Sequence, residues 1–482
     1  MSSLRLLPVL VVSLLFSATA RAEEPPPWSL GHDGNPLAGY HRGVFYLRDA
    51  SDSFRLYPSA MLLVDGQAWM GKNTATAQFA PRTVVRAARV GLGGQVLGSI
   101  GWQLTLAADG QPLGGDKQIY AAPPGQTPTA SSARYESPQA PGNATGILDA
   151  WVDLKAADEL HVMVGQFREP FGMETSTALG SLPFHERSIA TRTVASPNVR
   201  DVGAMLWGDV PQALLGYQLG FVSGDGRNRP GVDRRGDALA RVTLTPLGEK
   251  SGLVVGASVR GGWRQSDAVR YDVPSVRTQQ GFALWQPVYA DSLGRRVHVI
   301  PADAQRAVGL EASLLLGVLD LRGEVTLMDD DTREAVEGFQ SQNTERTGTL
   351  SGVGGYLVAG VTLWGKPRLR GQPGTGVRPR SLDFAHYDPV VPAQQIEALV
   401  RVEGLGLRYD SAKRKGAADP EGIDGDIRVL GLGLGVNYWA TRHARLSLNY
   451  DLYRTPTETT DRAQVPGGTT LHELGARAGI MF

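Results

Sequence analysis

Of the 48 cationic side chains in this 482-residue sequence, only seven are lysine. The rest are arginine, whose planar guanidinium grips oxyanions through paired N–H donors and keeps its charge in almost any surroundings. Arg168, Arg187 and Arg192 crowd into one stretch, with Arg200 just beyond it. The same stretch carries Glu169, Glu174 and Glu186. Two chemistries suit this mixture: a positive field that attracts anions, or acids and bases that pair and brace the chain locally.

No other grouping suggests turnover. His161, His185, His298, His386, His443 and His472 are scattered, with no partner at the spacing of a catalytic triad or a metal site. There is no Cys, hence no thiolate ligand and no disulfide framework. Asp329-Asp330-Asp331 reads as loop charge or a weak cation site. Gly431-Leu-Gly-Leu-Gly435 is not followed by a helical pattern, so its glycines read as lumen-widening positions of a strand. No metal or cofactor is expected. The balanced formal charge of zero also argues against a nucleic-acid partner.

The elements that must carry the arginines are strands. Apolar and polar residues alternate with period two in sixteen segments, near 54–65, 83–93, 99–109, 146–155, 160–167, 200–208, 213–223, 236–246, 252–263, 305–316, 318–328, 353–364, 396–409, 428–439, 443–453 and 471–482. In the last of these, Leu474, Ala476, Ala478, Ile480 and Phe482 share one face, and Glu473, Gly475, Arg477 and Gly479 the other. A soluble sandwich also alternates. The roughly ten-residue length of the segments and the regular exchange of short and long links instead fit a transmembrane antiparallel β-barrel. Its polar faces hold Arg55, Arg89, Arg241, Arg260, Arg322, Arg401, Arg445 and Arg477, with Asp65, Asp149, Asp153, Asp237, Glu311, Glu324, Glu397 and Asp451. Such a mixture suits a water-filled lumen, because an arginine on the lipid face costs about 2–4 kcal/mol at the bilayer midplane. Trp102, Trp207, Trp364, Tyr438 and Trp439 near strand ends read as an interfacial girdle. One link, 365–395, is long although it falls on the short-turn side: either that turn is enlarged or the strand count is off by two.

The chain start supports export. Arg5, the apolar run from Leu6 to Phe16 and the small residues Ala20 and Ala22 read as a signal peptide over 1–22. A leader over 23–53 follows, and the barrel is expected over 54–482.

Val164-Gly-Gln-Phe-Arg-Glu-Pro-Phe-Gly-Met-Glu174, then Pro183-Phe-His-Glu-Arg-Ser188 and Arg200-Asp-Val-Gly-Ala204, resemble the phosphate-selective porin O/P family. Arg89-Val-Gly-Leu-Gly-Gly94, Asp149-Ala-Trp-Val-Asp153 and Gly224-Asp-Gly226 add to the resemblance in the right order. It implies a sixteen-stranded, homotrimeric outer-membrane channel of a Gram-negative-type bacterium, surrounded by outer-membrane lipid, whose third extracellular loop folds inward and narrows the pore. That loop corresponds to 168–199, so Arg89, Arg168, Arg187, Arg192, Arg200 and Arg241 become pore or anion-binding candidates. His185 then reads as pore lining.

The sequence departs from the family in places. Relatives often carry Arg-Arg-Ala-Arg where this chain has Arg86-Ala87-Ala88-Arg89, and strict alternation puts Arg86 on the face of Val90 and Leu92, at a rim or a subunit contact. Relatives tend to have Lys where Gln166 stands, and Leu363-Trp-Gly-Lys366 replaces a Leu-Thr-Gly-Glu run. The expectation is therefore a diffusion channel for small hydrophilic solutes with a mild preference for anions, phosphate and other oxyanions among them, set by the arginines of loop 168–199. The alternative is a non-transporting barrel, structural or bearing a hydrolase site at its rim.

Overall fold

The computed structural model describes residues 30–482 except 42–43, 73–81, 111–116, 121–132, 137–143, 158, 196–198, 229–234, 248–251, 265–275, 282, 286–287, 291–295, 337–343, 366–393, 412–424 and 456–469. The stretch 1–22, read above as a signal peptide, lies outside the described residues, as does nearly all of the long link 365–395.

Sixteen antiparallel strands close on themselves. They are β1 Phe54–Lys72, β2 Arg82–Val96, β3 Ile100–Asp109, β4 Ala144–Ala157, β5 Leu160–Arg168, β6 Arg200–Val210, β7 Leu215–Val222 and β8 Asp237–Leu244. There follow β9 Leu253–Arg264, β10 Arg296–Leu316, β11 Leu319–Val336, β12 Thr344–Gly365, β13 Gln395–Ser411, β14 Gly425–Trp439, β15 Ala444–Arg454 and β16 Thr470–Met481. Each pairs with its predecessor, and β16 pairs with β1 in a register that sets Arg477 opposite Asp65 and Met481 opposite Met61. Closure leaves the wall without a free edge, which a sheet in hydrocarbon requires because no water satisfies exposed backbone groups there.

The alternation decides which side faces lipid. Leu430, Leu432, Leu434 and Val436 of β14, and Leu446 and Leu448 of β15, are exposed on the outside. Their neighbours Asn437, Arg445 and Ser447 are buried inside. Short turns join the strands at one rim, as at Gly317 (φ +55°) between paired Leu316 and Leu319. Gly365 and Gln395 pair at that same rim, so the link between them is an enlarged turn and the count of sixteen stands.

Several strands run further than alternation suggested. The stretch 329–352 is mostly strand, and Asp329-Asp330-Asp331 are strand residues: Asp329 sits 3.7 Å from Arg306, and Asp330 3.5 Å from Arg260. Within the leader, Ala38–His41 and Val44–Arg48 form a hairpin that adds to the start of β1. Phe45 of this hairpin meets Phe482 edge to face at 5.7 Å.

The girdle reading needs correction. Trp364 faces outward, but Trp207 and Trp439 are buried inside the barrel. Trp207 donates to Asp153 at 2.7 Å and stacks on His161, which itself bonds Asp153 at 2.8 Å. Trp439 donates to Glu397 at 3.4 Å. Each indole N–H has found a buried acceptor, as a ring held away from the headgroups requires.

Candidate pore constriction

The chain between β5 and β6 enters the barrel. Gly172 makes the turn, with φ +69°, and an added Cβ would lie 2.5 Å from the Glu324 carboxylate. The short helix Met173–Ser176 follows. Apolar side chains then seat the loop on several walls. Phe171 and Ala195 pack with Met163, Phe167, Met205 and Trp207. Leu179 and Leu182 meet Leu63 and Ala87, and Phe184 meets Tyr356, Val358 and Leu399. Gly433 and Gly435, read above as widening the lumen, instead make room for this loop: a Cβ at either would come within 3.0 to 3.3 Å of the Phe184 ring.

A loop buried in a barrel must satisfy its own backbone, and the inward arginines of the wall do this. Arg445 donates to the carbonyls of Leu182 (2.7 Å) and Pro183 (2.8 Å), Arg477 to that of His185 (2.6 Å), and Arg401 to that of Glu186 (3.1 Å). Carboxylates take the loop's N–H groups, as Glu403 does for Ile189 at 2.6 Å. Thus Arg401, Arg445 and Arg477 face inward as their parity demands but lie beneath the loop, not along open water. Glu473 is buried as well. His185 is also an anchor, its Nε2 2.9 Å from Ser447 Oγ. Both are buried and no described carboxylate reaches the other ring nitrogen, so the pair lacks the orienting acid of a triad.

Arg86 is the main correction to strand parity. Leu63 pairs with Ala87 but Val64 with Val85, so β2 carries a bulge at Arg86. The extra residue shifts the faces by one and turns Arg86 into the lumen, where it grips Glu186 at 2.5 and 2.9 Å. Burial raises the pKa of Glu186, but Arg86 and then Arg477 outweigh it and hold the carboxyl down to about 2.

The candidates fall into two groups. Arg89 is bound to Asp109 (2.9 and 2.6 Å), Arg200 to Asp149 (2.8 and 3.3 Å), and Arg241 to Glu311 (2.5 and 3.1 Å). Arg241 is fully buried, which leaves it as wall. The three arginines of loop 168–199 have no ion pair among the described residues. Arg168 donates to the Ser176 carbonyl at 3.0 Å. Arg187 donates to those of Glu174 and Thr177, and Arg192 to those of Arg187 and Thr278. They brace the loop, but through carbonyls that leave their charge uncancelled. Burial first, then Arg200 and Arg89 against the pull of Glu174, push Arg187 down to about 10, so it stays charged at neutral pH.

Sequence reasoning missed Arg227. It follows Gly224-Asp-Gly226 in the link between β7 and β8, is partly exposed, and makes no hydrogen bond or ion pair among the described residues. Burial lowers its pKa first, and Arg200, Arg89 and Arg86 add to this against Asp109, which places it in the field of the same cluster. Gln166 positions it: the side-chain amide donates to the carbonyls of Ile147 and Leu148, while its oxygen accepts from the Asn228 N–H at 2.8 Å. A lysine cannot accept that bond. Nothing in period-two alternation could have placed a loop residue.

A family model described as phosphate-selective porin O and P matches residues 67–482. No curated protein matches the chain. Among solved structures, it is similar to the outer membrane channel DcaP of Acinetobacter baumannii (9% identity, covering 92% of this chain and 100% of that one, TM-score 0.49). It is similar also to the outer-membrane protein OmpT of Vibrio cholerae (11%, 90% and 99%, TM-score 0.47). A third similar structure is the anion-selective porin from Comamonas acidovorans (11%, 89% and 100%, TM-score 0.46).

Proposed function

The chain belongs to the phosphate-selective porin O and P family, a diffusion channel of the Gram-negative outer membrane and not an enzyme, and from that premise we propose that it prefers small anions. The preference is mild and arises at the constriction. One observation carries it: Arg168, Arg187, Arg192 and Arg227 are each partly exposed and without a bonded carboxylate among the described residues. Arg86, Arg89 and Arg200 add charge that Glu186, Asp109 and Asp149 offset. Fixed charge in a narrow, low-dielectric passage selects ions by sign.

Oxyanions such as phosphate are plausible permeants because guanidinium forks match their geometry. The wall alone is near balance, so the preference is set by Arg168, Arg187 and Arg192 of loop 168–199 together with Arg227. The proposal includes the homotrimer implied by the family, with outer-membrane lipid around the aliphatic outer face. Ion substitution in planar bilayers tests it. Replacing chloride by a bulky organic anion is expected to lower single-channel conductance strongly, and replacing potassium by a bulky organic cation to lower it little. The opposite ranking overturns the proposal.

A further inference from the structure

The outward faces of β13, β14 and β15 end alike. In each, a run of apolar residues and glycines stops at an exposed arginine: Arg408 beyond Gly406, Arg428 beyond Leu430, and Arg454 beyond Leu452. The short turns lie at the opposite end, which in outer-membrane barrels is the periplasmic one. The arginines therefore stand where hydrocarbon meets the headgroups of the outer leaflet. Register sets them in a staircase: Arg428 lies opposite Gly406, two residues from Arg408, and Arg454 opposite Leu430, two residues from Arg428. Such diagonal neighbours are about 7–8 Å apart, within reach of long side chains.

Protein acids offset this charge only at one end. Asp410 is 3.5 Å from Arg408, and Asp426 lies opposite it in the register. Arg428 and Arg454 make no hydrogen bond or ion pair among the described residues. The rim of β10 differs, because Arg306 there has Asp329 at 3.7 Å. Below the staircase, a groove of about 610 Å³ crosses the outer wall from β11 to β16. Ala359 and Ala398 lie in it between the exposed side chains of Val400, Leu434, Leu448 and Leu474. Leu434 and Leu448 are six residues along their strands from Arg428 and Arg454. That is about 20 Å of strand, or about 14 Å of height at a tilt of about 45°, close to half of a hydrocarbon core about 30 Å thick. Rim and groove are thus one leaflet apart. We propose that this face binds an outer-leaflet lipid with phosphate on its headgroup. The phosphates sit on Arg428 and Arg454, flanked by Arg408, and the tails descend to the groove. Guanidinium forks match phosphate oxygens, and the alanines leave room that no side chain of the wall fills.

This inference needs only an outer-membrane barrel and is independent of the ion preference proposed above. The probe is lipid A, a diphosphorylated disaccharide carrying several acyl chains, added to detergent micelles of the full folded channel. Native mass spectrometry reads how much lipid the protein retains. The native chain is expected to retain lipid A and to bind its dephosphorylated form at least about fivefold more weakly. Arg428→Gln and Arg454→Gln should each weaken lipid A binding about fivefold, and together about 25-fold. Arg306→Gln, at the rim arginine that already has an acid, should leave it unchanged. Ala398→Trp fills the groove without touching the arginines and should weaken binding as well. The comparison of the two lipids uses the native chain, so it stands whatever the variants do to folding. Equal retention of the dephosphorylated lipid, or undiminished binding by Arg428→Gln/Arg454→Gln, overturns the proposal. So does a changed oligomer mass in Ala398→Trp with lipid binding intact, since the face would then belong to a second copy of the chain.

Discussion

Arg227→Glu is expected to abolish the anion preference and leave the barrel as stable as before. The side chain makes no hydrogen bond or ion pair among the described residues, so its loss breaks no anchor. The substitution changes the local charge by two units. At about 10 Å and an effective dielectric constant of about 40, one unit shifts an ion's energy by about 0.8 kcal/mol. Screening at about 0.1 M salt, where the Debye length is about 10 Å, lowers this to about 0.3 kcal/mol. The effect has opposite sign for anion and cation, so two units change the anion-to-cation permeability ratio by roughly five- to tenfold at 0.1 M, and by less at about 1 M. Arg227→Gln should give about half of the free-energy shift. Zero-current potentials of the three proteins, with melting curves in detergent, check it. An unchanged potential would mean that Arg227 does not see the permeating ion.

Arg477→Ala has the largest expected effect on stability. Arg477 holds Asp65 through two bonds of 2.6 and 2.7 Å, across the seam where β16 meets β1, and reaches the His185 carbonyl and Glu186 as well. One guanidinium thus closes the barrel and seats the constriction loop. Removing one partner of a buried ion pair strands the other, at a cost of about 3–5 kcal/mol. The variant should unfold at lower temperature and denaturant concentration. Asp65→Asn/Arg477→Gln should lose less than the sum of the single changes. Acid narrows the gap. The Glu186 pKa is lower folded than unfolded, so its contribution is present above about 4.5 and lost as pH falls toward about 2. Between those values the native chain should lose part of its advantage over Arg477→Ala. A variant melting with the native protein at pH 7 would contradict this role.

What the sequence disclosed and what it hid have separate physical causes. The wall was legible because every strand repeats one rule: hydrocarbon outward, anything polar inward. That rule predicted the sixteen strands and the inward setting of Arg401, Arg445 and Arg477. It failed at Arg86 because one bulged residue inverts parity, and nothing in Arg86-Ala87-Ala88-Arg89 announces a bulge. It was overlooked at Trp207, whose parity with Met205 and Asp209 already pointed inward while its position near a strand end suggested a girdle.

The site was less legible than the wall. The arginines of 168–199 stood out by type, but whether acids would cancel them depended on three-dimensional partners. Glu186 turned to Arg86 and Arg477, and Glu174 took the Ser188 N–H at 2.9 Å. Neither pairs with an arginine of its own loop among the described residues. The turn at 276–281 and Arg227 belong to links whose composition says only that they are polar. Their positions are set by contacts with walls far away in sequence, and Gly433 and Gly435 show the same dependence: glycines that looked like open lumen are receptors for Phe184.

The central claim is that uncancelled arginines at an inward-folded constriction give this channel a mild preference for anions. The most direct measurement is the zero-current potential of the native protein in a planar bilayer across a gradient of potassium chloride at neutral pH. The account predicts a potential of the sign set by chloride flux, shrinking as both salt concentrations rise and the charges are screened. A potential of the sign set by potassium flux contradicts it.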